Sequence, residues 1–150
     1  MTADALDDLD RCDSTSISNV SRLLSTRGLE GAMMVVEWEL QKEQDSWEAW
    51  SAKADILYLQ KKYDRSLECC EKSIALNSEN GLTWNTKGNV YYMLGRYDEA
   101  IACYNKAIEI EPLLARAWYN KKLALEIQLK KTAPGISYEN MRNKNSKALR

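Results

Sequence analysis

The thiols are the first candidates for chemistry. They are Cys12, Cys69, Cys70 and Cys103. No two sit in the Cys-x-x-Cys spacing of metal or redox sites, and adjacent Cys69 and Cys70 cannot both join one simple disulfide framework. Buried thiols acting as small hydrophobes fit this arrangement better. Histidine is absent, which removes Ser-His-Asp and Cys-His nucleophile pairs and every histidine-containing zinc site. The six glycines form no phosphate-cradling loop. Acidic neighbours such as Asp98 and Glu99 fall at a helix start, where they complement the macrodipole. No catalytic residue, metal site or cofactor is expected, and the chain does not read as an enzyme. Asparagine, tyrosine and clustered basic side chains remain, and those are groups for binding.

The elements that must carry them are helical. The 150 residues, 45% hydrophobic and 29% charged with net charge −1, suit one domain with one real core. No apolar stretch approaches the roughly 20 residues that span a bilayer. The N-terminus is acidic where a signal peptide would be basic. A soluble, cytoplasmic protein is expected. Trp50, Trp84 and Trp118 recur at intervals of 34 residues. Lys53, Lys87 and Lys121 share the interval, as do Leu57, Tyr91 and Leu125. Asp64 pairs in this way with Asp98, Cys69 with Cys103, and Ile74 with Ile108. Within 81–114 the apolar residues keep helical spacing in two sets, parted by Leu94-Gly95-Arg96-Tyr97-Asp98 and followed by Pro112. Glycine stops one helix, and proline cannot continue the other.

Segment 81–114 resembles the tetratricopeptide repeat through Trp84, Gly88, Tyr91, Gly95, Tyr97, Ala100, Tyr104, Ala107 and Pro112. Segment 47–80 is a looser copy, with Ser66, Cys70 and Ser73 where that family favours alanine, an aromatic and alanine. The resemblance implies an all-α superhelix, a solenoid of helical hairpins with about six or seven helices. Residues 1–12 read as an acidic mobile leader, 13–46 as a degenerate helical pair (16–26 and 29–44), and 115–131 as a capping helix. Residues 132–150 read as a basic flexible tail. Gly88 and Ala100 are expected to face each other at a close helix crossing. Lys122 stands at the Gly88 position and must reach water, which marks the last helix as a solvating cap. Trp50, Trp84 and Trp118 are expected as core wedges between helices.

The family's groove positions, carried over onto the first helix of each unit, are Glu48, Ser51, Asp55, Tyr58 and Leu59; then Leu82, Asn85, Thr86, Asn89, Tyr92 and Met93; then Arg116, Tyr119, Asn120, Leu123 and Ile127. Asp55, Tyr58, Asn85, Asn89, Tyr92, Tyr119 and Asn120 are the expected contacts. An asparagine offers two donors and an acceptor to a peptide main chain, and tyrosine adds rigid contact area. The implied partner is a peptide segment of another protein. The carboxylate clamp of co-chaperone repeats fits poorly, because Asn85 holds a lysine position and Asp55 would repel a carboxylate.

Charge is divided along the chain. Residues 1–111 carry −8 and residues 112–150 carry +7. Lys130, Lys131, Arg142, Lys144, Lys147 and Arg150 could engage nucleic acid or another acidic surface. A plain solubilising tail is the favoured reading, since the stretch has little aromatic content for stacking apart from Tyr138. Self-association of acidic and basic ends is a further alternative.

Overall fold

The structure, a computed structural model, describes residues 20–133. They form six helices: α1 (Val20–Lys42), α2 (Trp47–Leu59), α3 (Tyr63–Leu76), α4 (Gly81–Met93), α5 (Tyr97–Ile110) and α6 (Ala115–Thr132). No strand occurs among the described residues. The expected leader at 1–12, and the tail beyond 133, lie outside them.

The repeat is visible in the backbone. The turn after α2 places Lys61 at φ +60, and the turn after α4 places Gly95 at φ +75. The two positions are 34 residues apart and share one hydrogen-bond pattern. Lys61 N–H donates to Tyr58 O and Lys62 N–H to Leu57 O; Gly95 N–H donates to Tyr92 O and Arg96 N–H to Tyr91 O. This is the left-handed C-terminal cap that glycine adopts without strain. The first unit makes it with a lysine, so that turn costs more. Ser46 caps α2 by accepting from Ala49 N–H at 3.2 Å, and Asn80 caps α4 by accepting from Leu82 N–H at 3.0 Å.

Helices neighbouring in the chain pack on one another, α1 to α6 in order, and α4 also touches α2 and α6. First helices that close together curve the stack and put themselves on its inner side. The core runs along the stack. Leu23, Ala32, Val35, Val36, Leu40, Ala49, Ala52 and Ile56 fill one end. Ala54, Leu57, Cys69 and Cys70 follow, then Ala100, Tyr104 and Ala124. Cys69, Cys70 and Cys103 are buried and unbridged, as the spacing implied. Burial raises all three thiols, Cys103 to about 11, so none is a ready nucleophile.

Among the described residues the element nearest the N-terminus is two helical limbs that meet at a kink at Gly28 (φ 69, ψ −178), between the two helices expected at 16–26 and 29–44; the limb after the break is the longer. That limb keeps the repeat's phase: Ala32, Ser66 and Ala100 stand 34 residues apart and all are sealed from water. Lys53 pairs with Glu37 at 3.3 Å, and Lys87 with Glu71 at 3.4 Å, one repeat on. Gly88 lies against Tyr104, which clusters with Ala100: a Cβ there would lie 2.5 Å from Tyr104 Cε1. The serines replacing alanine in the first unit are satisfied in place. Ser66 Oγ donates to Ala54 O at 2.7 Å, and Ser73 Oγ to Trp47 O at 2.9 Å.

The tryptophans are not plain core wedges. Each indole N–H reaches back six residues to the loop before its helix: Trp50 to Gln44 O (2.8 Å), Trp84 to Ser78 O (2.9 Å) and Trp118 to Pro112 O (2.9 Å). A lysine ammonium lies over each ring, and Lys53, Lys87 and Lys121 share one distance of 5.7 Å. Trp118 is 51% exposed. No second helix stands over it among the described residues, whereas α3 lays Lys72 over Trp50 at 4.2 Å. Lys122 is exposed and pairs with Glu126 at 3.8 Å, as a cap requires.

Candidate functional site: the inner face of the first helices

The expected groove residues fall into two groups. Tyr119 is open, 60% exposed, on α6. Leu59, Leu82 and Met93 are also exposed on the first helices. Tyr58 and Tyr92 are half-buried; Tyr58 rests on Tyr63 at 6.2 Å, and Tyr92 meets Tyr97 edge-on at 5.4 Å. Burial, then the neighbouring Tyr63 and Tyr92, push the Tyr58 phenol up, so it donates rather than ionises.

The asparagines are engaged with one another. Asn120 Nδ2 donates to Asn85 Oδ1 at 3.1 Å and to Asn89 Oδ1 at 2.9 Å. Asn89 Oδ1 also accepts from the Tyr104 hydroxyl at 2.9 Å. Asn85 is only 3% exposed. These amides clamp α4 to α5 and α6, and what they offer a ligand is their remaining donors and acceptors. Nothing in the spacing marks this. Tyr104 reads as a repeat position, and its reach to Asn89 depends on the rotamer it takes beside Gly88.

Asp55 is also occupied. Its carboxyl lies deep between α2 and α4, where Thr86 Oγ1 donates to Oδ1 at 2.6 Å. Thr83 Oγ1 donates to Ser51 Oγ at 2.8 Å alongside. The threonines were the missed partners, lying 31 and 32 residues from the groups they serve. Burial pushes the Asp55 carboxyl from its ordinary 3.8 up to about 6, against the pull of the Thr86 bond and the charge of Arg116. A carboxylic acid held above its unfolded value penalises the fold where it is ionised. The Asp55 contribution to stability therefore rises as pH falls through about 6 towards 4, and declines on the way back up. Asp55→Asn keeps an acceptor for Thr86 and removes the charge. It is expected to stabilise the chain by on the order of 1–2 kcal/mol near pH 7.5 and by almost nothing near pH 4. Thermal melts of both proteins at the two pH values check this; equal gains at both would show that charge burial is not the cause.

Two clefts flank α2. One, of about 340 Å³, opens on the groove side and is bounded by Trp47, Glu48, Ser51, Asp55, Glu79, Leu82 and Glu111 among others. The other, of about 690 Å³, lies against α1 and α3, with Trp50, Lys53 and Lys72 in its wall. Of the basic residues, Lys131 lies over the Tyr97 ring at 4.6 Å and Lys130 is exposed. Gln128 bonds Asp98 beside that contact, so the end of α6 is docked on α5. Arg142, Lys144 and Lys147 lie outside the described residues. Among the described residues no group of acidic or thiol side chains could hold a metal, and no helix is long and apolar enough to cross a membrane.

The family model for the tetratricopeptide repeat matches residues 47–80 and 82–112. The chain therefore carries two tetratricopeptide repeats. Solved structures agree on its fold. The first such domain of human RPAP3 is 15% identical, with a TM-score of 0.70 over 79% of this chain and 95% of that one. The first repeat domain of Spaghetti (RPAP3), bound to the HSP90 peptide SRMEEVD, is 16% identical, with a TM-score of 0.68 over 77% and 95%. A mutant O-GlcNAc transferase from Thermobaculum terrenum is 18% identical with a TM-score of 0.70; the match covers 84% of this tetratricopeptide-repeat chain but 24% of that enzyme. No curated protein matches the chain.

Proposed function

We propose that this repeat domain is a protein-interaction module that holds an extended segment of a partner along α2, α4 and α6. The observation that carries the reading is the row of exposed apolar and aromatic side chains, Leu59, Leu82, Met93 and Tyr119, on helices whose core faces are already filled. Large apolar groups left in water beside half-buried tyrosines suit a partner that covers them. The peptide held by the Spaghetti domain supports the same use of the fold. Binding proceeds through shape and hydrogen bonds, without covalent chemistry. Three buried, unbridged thiols suit a reducing compartment such as the cytoplasm.

Tyr119→Ala is the cleanest test, because the ring is open and removing it leaves no core cavity. Truncating a tyrosine hot spot costs about 2 kcal/mol or more. Capture of the partner from host lysate is therefore expected to fall at least about tenfold, with the melting curve unchanged. Undiminished capture by Tyr119→Ala together with Met93→Ala would remove the groove from the account. Capture that survives these changes but disappears with nuclease would transfer the function to the basic segment.

A further inference from the structure

The cleft between α2 and α4 has one sign of charge. Glu48, Asp55, Glu79 and Glu111 enter its wall and no lysine or arginine does, whereas the cleft on the other side of α2 mixes Glu37 and Asp45 with Lys53 and Lys72. The carboxylates differ in how far they are committed. Glu111 Oε1 accepts from Gly81 N–H at 3.0 Å and so caps α4. Asp55 is partly buried and accepts the Thr86 hydroxyl. Among the described residues no cation forms an ion pair with Asp55, Glu48, Glu79 or Glu111. Trp47, Ala52 and Leu82 supply apolar wall between them.

The acidity belongs to this unit and not to the repeat pattern. One repeat further on, Glu48 is replaced by Leu82, Asp55 by Asn89, Glu79 by Leu113, and Leu82 by Arg116. The inner face thus passes from acidic at α2 to neutral and basic at α6. A cleft of about 340 Å³ with apolar sides and acceptors at its floor matches a lysine or arginine. The alkyl stem lies on the apolar wall, and the cationic head takes acceptors that form no ion pair among the described residues, although the charge of Arg116 reaches Asp55.

We infer that the segment bound in the groove comes from a partner protein and is basic, with a lysine or arginine seated between Asp55, Glu48 and Glu79. The inference rests on the groove reading above. It also orients the segment: its basic part lies at α2 and its neutral or acidic part reaches Arg116 on α6. This is the opposite charge to SRMEEVD, the peptide in the Spaghetti complex.

The test is a titration of the isotope-labelled full chain, followed by amide and indole resonances in about 150 mM salt near pH 7.5. Three blocked peptides are used: an Ala/Leu/Ser octapeptide with two lysines, the same peptide with norleucine for lysine, and SRMEEVD. The lysine peptide is expected to move the Trp47 indole and the amides of Asp55 and Leu82, and to bind at least about tenfold more tightly than the other two. Asp55→Asn/Glu79→Gln is expected to weaken it about tenfold or more. A melting curve of the double variant no lower than that of the wild type shows that unfolding does not account for a loss. Tighter binding of SRMEEVD on α4 and α6 would overturn the inference and leave the groove reading standing. Peptides that move no resonance on α2, α4 or α6 would overturn both. Lysine-peptide binding that appears only after Arg142, Lys144, Lys147 and Arg150 are changed to glutamine would show the chain's own basic segment in the cleft, which overturns the assignment to a partner.

Discussion

Tyr104→Ala is expected to lower the unfolding free energy by about 3–5 kcal/mol, the range for losing a fully buried aromatic ring. Tyr104 is 1% exposed and packs with Ala100 and Ala124, with Gly88 against its ring. Its removal empties the joint between α4, α5 and α6. The hydroxyl adds a smaller share, because it donates to Asn89 Oδ1, which also takes the Asn120 amide. Tyr104→Phe is therefore expected to cost about 1 kcal/mol. The phenol sits in a desolvated site that raises its pKa, so ionisation does not complicate the comparison near neutral pH. Urea unfolding of the three proteins measures both steps. A loss below about 1 kcal/mol for Tyr104→Ala would mean that the joint collapses around the cavity at little cost and does not depend on the ring.

Gly88→Ala is expected to destabilise by about 2 kcal/mol, although alanine is the better helix former by about 1 kcal/mol. The new methyl would sit 2.5 Å from Tyr104 Cε1 and 2.7 Å from Cδ1. The ring is buried on its other sides and cannot swing away, so overpacking outweighs propensity. The first unit indicates the remedy. Its equivalent pair is Ala54 and Cys70: alanine on α2 where the second unit has glycine, and cysteine on α3 where it has the larger tyrosine. In a Tyr104→Cys background, Gly88→Ala is expected to become neutral or stabilising, a coupling on the order of 2–3 kcal/mol. Additive effects of the two changes would show that the residues do not share one space.

How much of this was legible follows from range. The repeat could be read because its marks, Trp50, Trp84 and Trp118 with their lysines, recur at one interval. The turns could be read because Gly95 is a local signal. Lys61 hides the same turn, since its backbone is dictated by the units on either side and not by its own preference. The inner face was only half legible. Family position placed Asp55, Asn85, Asn89 and Asn120 at the groove, but not the bonds that occupy them. Those bonds join side chains 31 and 35 residues apart, and they depend on rotamers that packing selects. Tyr104 was visible as a pattern residue. Its effect on Asn89 was not, because that needs the space Gly88 leaves. The acidic cleft required three separated stretches, around Glu48, Glu79 and Glu111, to meet.

The polar bonds between units also settle the order in which like shapes dock. At the α2–α4 seam, Thr83 serves Ser51 and Thr86 serves Asp55. At the α4–α6 seam the corresponding Asn120 serves Asn85 and Asn89, and Ala117 stands where threonine was. Thr83 Oγ1 also lies 3.4 Å from Ser73 Oγ, so were α6 to take the place of α4, in this molecule or a neighbouring one, Ser51 and Ser73 would face the methyl group of Ala117 in place of the Thr83 hydroxyl. Apolar faces built to one 34-residue plan tolerate such a slip; mismatched hydroxyls and amides do not. The array therefore has a grammar as well as a shape, and its units, though cut to one pattern, cannot be transposed.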